Sequence, residues 1–135
     1  MIPDDWQPCR RASDGELTGY LMSAADAAPA VVPVTLIGTR LGPAQSAATA
    51  TALVNQYGLA ELAEFWWCLL PTPLAGHAID VTDPADGWTW RRVVVVEASP
   101  ARCQVRPALT MPEEFIDQVS LPVPVGDLLQ ADLPG

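Results

Sequence analysis

The chain has 135 residues, half of them hydrophobic, with seven arginines, no lysine and a formal charge of −9. The length predicts a single domain over residues 1–135, large enough to bury about two-thirds of its unfolded surface without metal or disulfide staples. The lack of lysine excludes Schiff-base catalysis and lysine-bearing phosphate loops, and the acidic balance opposes nucleic-acid binding, which depends on cations against phosphates.

Arginine without lysine is also the usage expected of a GC-rich bacterial genome. The start, Met1-Ile-Pro-Asp-Asp-Trp6, has no basic stretch leading into an apolar run, so no signal peptide is predicted. The longest apolar runs, Phe65–Leu70 and Val93–Val96, fall far short of the ~20 residues that span a bilayer. Cys9, Cys68 and Cys103 are odd in number and widely spaced, as expected of reduced, buried thiols rather than a disulfide framework. The expectation is a cytoplasmic protein that does not enter the membrane.

In chain order, Trp6–Arg11, the turn Ser13-Asp14-Gly15 and Glu16–Met22 read as a hairpin. The β-branched run Val31–Ile37 reads as a strand, with Pro33 requiring an edge or a bulge. After Gly42-Pro43 the period changes. Ala44–Gln56 is alanine-rich, carries Ala50, Leu53, Val54 and Tyr57 on one stripe, and predicts a helix capped by Gly58. Leu59–Cys68 then predicts a second helix, with Leu59, Leu62, Ala63 and Trp66 inward and Glu61 and Glu64 outward. A short strand is expected at His77–Val81, two further strands on either side of Ser99-Pro100-Ala101, a helix from Pro112 to about Val119, and extended chain at Leu121–Val125. A last helical turn is expected at Asp127–Ala131. Together these predict an α+β fold: an antiparallel sheet, curled into a partly open barrel, with an inserted helix pair covering one face.

The most informative stretch is 88–106. It holds Trp88, Trp90, Arg91, Arg92, Arg102 and Arg106 against Glu97 alone, so it is +3 while the remainder of the chain is −12. Strict alternation puts Trp88, Trp90, Arg92, Val94 and Val96 on one face, with Cys103 and Val105 across the hairpin, and this face reads as core. The other face collects Arg91, Arg102, Gln104, Arg106 and Glu97, with Glu97 opposite Arg102. Trp88, Trp90, Arg91, Arg102 and Arg106 are therefore the candidate binding residues, an anion- or carboxylate-binding patch flanked by stacking rings. The competing reading makes the same arginines struts, paired with the chain's own surplus carboxylates.

Other chemistries are poorly supported. The predicted helix pair resembles a helix-turn-helix, but its second helix is acidic and DNA would repel it. Cys9, Cys68, Cys103 and the one histidine, His77, lack the close ligand pairs of structural zinc sites. Asp80, Asp83 and Asp86 lack the alternation and distal glutamate of a calcium loop. No nucleophile elbow or glycine-rich phosphate loop is present. The sequence thus predicts no metal, no cofactor and no nucleic-acid partner. The expected function is a non-catalytic module that binds a protein partner or a small anionic ligand, including an inhibitor- or immunity-type role toward a basic protein. The alternative is a small enzyme or ligand carrier whose pocket lies between helix pair and sheet near His77. Homodimerisation through a strand edge is also compatible with the sequence.

Overall fold

The structure is a computed structural model that describes residues 2–24, 29–74, 79–114 and 118–134. Among the described residues it is an α+β fold of two antiparallel sheets and one α-helix. The first sheet has β1 (Gln7–Arg10), β2 (Leu17–Ser23) and β3 (Val31–Thr35), in that order. The second has β4 (Phe65–Leu70), β5 (Thr89–Ala98), β6 (Cys103–Pro107) and β7 (Val119–Leu121). The expected curling into a barrel is not seen among the described residues: the strands divide into two separate sheets, and no barrel closes.

Helix α1 (Ala47–Glu61) starts where Ser46 turns extended and its Oγ accepts from the Thr49 N–H at 3.3 Å. Its buried residues Ala50, Val54 and Gly58 repeat every four positions, one narrow stripe laid on the first sheet. There they meet Cys9 and Leu21. The opposite face of that sheet contributes Tyr20, Val32 and Val34 to the main core. This core also takes Trp66, Cys68, Leu70, Val93, Cys103, Val105 and Leu121 from the second sheet. The first sheet is therefore a middle layer, with α1 on one side and the second sheet on the other. As expected, Pro33 sits on an edge strand.

The predicted helix pair is corrected to one helix followed by a strand. Gly58 does not cap a helix but lies inside α1, because the helix passes so close to β2 that a side chain has no room. A Cβ at Gly58 would stand 2.4 Å from the Thr18 carbonyl oxygen, and one at Gly19 would stand 2.8 Å from Val54 Cγ1. The contact is fixed laterally by the Thr18 hydroxyl, which bonds Asn55 Oδ1 at 2.7 Å. Phe65–Leu70 is extended because Trp66, Cys68 and Leu70 alternate into the core, a period of two that the preceding helical pattern masks.

Several smaller elements also differ. Of the expected strand His77–Val81, residues 77 and 78 lie outside the described residues, and the remainder is not in a strand. The expected helix Pro112–Val119 likewise includes residues 115–117, outside the described set, while Val119 opens β7. The last helical turn is present as a single 3-10 turn at Gly126–Leu128.

The helix–sheet approach makes a prediction. At an exposed helical site Gly→Ala stabilises by about 1 kcal/mol. At residue 58 the backbone clash should outweigh that gain, so Gly58→Ala should lose about 1–3 kcal/mol in urea unfolding.

Candidate functional site

The site is set by which way each residue of β5 faces. In the β4–β5 register Trp66 opposes Val93, Cys68 opposes Arg91, and Leu70 opposes Thr89. Directly opposed residues share a face, so Val93 points into the core, fully buried, and Arg91 starts inward beside it. This reverses the alternation expected from sequence. Val93, rather than Val94 and Val96, is the buried valine of the pair of strands. The register shifts between Val95 and Glu97, and Val96 is left 41% exposed at the bulge. Across the hairpin on β6, Cys103 and Val105 are buried as the sequence predicts. Burial pushes the thiols of Cys68 and Cys103 up to about 12, so neither is a nucleophile at neutral pH.

An inward arginine needs a counter-charge, and Glu114 supplies it. The two form a bidentate pair, with Arg91 Nη2 donating to Glu114 Oε1 at 2.9 Å and Nη1 donating to Oε2. Their side chains are 10% and 1% exposed. Glu114 also accepts from the Met111 N–H at 2.8 Å and from the Leu74 N–H. Arg91 Nη2 also donates to the Leu109 carbonyl at 3.0 Å. One ion pair thus ties together the turn after β4, β5 and the segment after β6. The hydrogen bond from Arg91, aided by the backbone N–H groups, holds the Glu114 carboxyl down at about 2 despite its burial.

With Arg91 turned in, its neighbours turn out. Opposed rows on the outward face of the second sheet are Phe65–Val94–Arg106, Trp67–Arg92 and Leu69–Trp90. The Arg92 guanidinium lies over two rings, 5.1 Å from the Phe65 centroid and 5.5 Å from that of Trp67. Phe65 is 51% exposed, and Trp67, Leu69, Trp90 and Val94 are half-buried. Among the described residues, neither Arg92 nor Arg106 reaches a carboxylate at ion-pair distance.

The five residues singled out by sequence therefore fall in different places. Trp90 and Arg106 lie on this outward face. Arg91 lies inside, held by Glu114. Arg102 lies at the tip of the β5–β6 hairpin, where its Nε is 3.1 Å from Glu97 Oε2, both side chains exposed. Trp88 precedes β5 and is half-buried. From sequence, Arg92 is expected on the core face and Phe65 and Trp67 within the second helix; all three stand instead on the outward sheet face. Their signal was the alternation of Phe65, Trp67 and Leu69 against Trp66, Cys68 and Leu70. His77, central to the enzyme alternative and to the zinc set, lies outside the described residues. Among the described residues no helix is long and apolar enough to cross a membrane. Comparison with known proteins finds no matching family model, no matching curated protein and no matching solved structure.

The buried pair predicts a pH dependence. Glu114 titrates near 2 when folded and near its ordinary 4.5 when unfolded. Its contribution to stability is therefore complete above about 4.5 and is lost as pH falls toward 2. Glu114→Gln leaves Arg91 buried without its counter-charge and should cost about 2–4 kcal/mol at pH 7. In denaturant titrations its deficit against wild type should narrow between pH 5 and pH 2.

Proposed function

We propose that this chain is a non-catalytic protein-binding module, and that it engages its partner with the outward face of the β4–β7 sheet. The observation that carries this reading is Arg92 lying over Phe65 and Trp67 on a sheet face where Phe65 remains half exposed. The solvent face of an antiparallel sheet is ordinarily polar. Here three adjacent rows are aromatic or aliphatic, with arginines set among them. Aromatic residues and arginine are the side chains that concentrate binding energy at protein interfaces.

Stacking against two rings limits the freedom of Arg92 before anything binds, so less side-chain entropy is lost on contact. The partner is one that offers a carboxylate beside apolar groups. A carboxylate takes the fork of Arg92 or Arg106, and the apolar groups cover Phe65, Trp67 and Val94. The remainder of the chain is acidic and repels such a segment, which confines the contact to this face. A second copy would set Arg92 and Arg106 against themselves, which disfavours self-association through this surface.

Selection of a random peptide display library on the wild-type protein tests the reading. Enriched peptides should combine Asp or Glu with Leu or Phe. They should lose about tenfold in affinity, or 1.4 kcal/mol, toward Arg92→Glu and toward Phe65→Ser, but not toward Gln56→Ala on the exposed side of α1. Both face variants should melt at the wild-type temperature. Basic peptides, or peptides indifferent to both face substitutions, would overturn it.

A further inference from the structure

A second feature lies away from that face. At one end of the layered core is a cleft of about 450 Å³, within the size range of small-molecule sites. Trp6, Met22, Trp66 and Leu129 give it apolar walls, and Arg40 and Asp127 carry its charge. It is a constructed space. The wall is brought together by Gly38, in the left-handed region at φ 91°, where a Cβ would stand 2.5 Å from Pro124 Cβ and 3.5 Å from the Trp6 ring. Trp6 is held in turn by its tilted ring contact with Tyr20, 6.2 Å between centroids.

Two observations bear on the cleft. First, Trp66 is only 4% exposed, yet its indole N–H has no acceptor. It is the single buried side-chain polar atom without a partner among the described residues. With that nitrogen shut off from solvent, the ring closes the inner wall of the cleft without donating into it, and its indole resonance reports what the cleft holds. Second, Arg40 and Asp127 are both exposed, and among the described residues neither is joined to an opposite charge. A simple anion in this cleft meets Arg40 favourably but is repelled by Asp127, and a simple cation meets the reverse. A ligand that carries both charges satisfies both residues.

We infer that this cleft binds a small zwitterion with an apolar side chain, of the α-amino acid class. The carboxylate is matched to Arg40, the ammonium to Asp127, and the side chain to the walls of Trp6, Met22 and Leu129. The Trp66 ring forms part of the inner wall, with its nitrogen turned away from solvent. The site is separate from the outward sheet face and shares no residue with it, so each stands or falls alone.

The test follows the five tryptophan indole N–H resonances by 1H–15N NMR, with Trp66→Phe identifying that of residue 66. L-phenylalanine should move the Trp66 resonance saturably. Phenylpropanoate, which lacks the ammonium, and phenethylamine, which lacks the carboxylate, should each bind at least about tenfold more weakly. Arg40→Ala and Asp127→Asn, both exposed substitutions that leave the core intact, should each weaken L-phenylalanine binding by a similar factor. If Trp66→Phe does not fold, the resonance is identified by sequential assignment of the wild-type protein, and the exposed pair carries the test. No movement of the Trp66 resonance with L-phenylalanine would overturn the inference, as would equal binding of either singly charged probe.

Discussion

The pairing of Arg91 with Glu114 is the contact on which the rest of the second sheet depends. A strand has two faces, and β5 offers valines to both. What distinguishes them is that one parity carries Arg91 inward, where a guanidinium is tolerated only with its charge and hydrogen bonds met. Glu114, itself almost wholly buried, meets them through two oxygens, while the Leu109 carbonyl takes a further N–H. A buried ion pair of this kind adds little net stability over a well-packed apolar substitute. Its effect is on specificity: with Glu114 in place the inward parity is permitted, and a one-residue slip would bury Arg92 with no carboxylate to receive it.

The consequence appears on the other side of the sheet. Fixing Arg91 and Val93 inward sends Arg92, Val94 and Trp90 outward, where they meet Phe65, Trp67 and Leu69 of β4. The basic ribbon is thereby divided. One arginine is consumed within the fold, one is paired at the hairpin tip with Glu97, Arg92 stands over Phe65 and Trp67, and Arg106 lies opposite Val94 on the same face. The protein-binding proposal rests on that division. The small-ligand inference rests on a different consequence of the layering, the space left where the Gly38 turn, Trp66 and the C-terminal segment converge.

Much of the local structure could be read from sequence because it is governed by near neighbours. The first hairpin, the edge position of Pro33, the turn at Ser99–Arg102 and the Glu97–Arg102 pair are of this kind. The errors have longer-range causes. Gly58 has the composition of a helix end, and only the approach of Thr18, forty residues earlier, explains a glycine inside α1. Phe65–Leu70 continues the helical stripe of Leu59 and Leu62, so its alternation becomes visible only when a sheet supplies the opposing strand. Strict alternation along β5 failed because of the bulge at Val96 and because Arg91 has its partner 23 residues away. The strut reading of Arg91 and the surface reading of Arg106 were both present in the sequence, but nothing local could assign them to different residues.

The parity of β5 is open to direct measurement. The native thiols at positions 9, 68 and 103 are buried, so single cysteines introduced into β5 report their own exposure. Arg92→Cys should react with a water-soluble thiol reagent at close to the rate of an unfolded peptide. Val93→Cys should be protected by orders of magnitude and react only on global unfolding. The opposite order, fast labelling at 93 and protection at 92, would contradict the account.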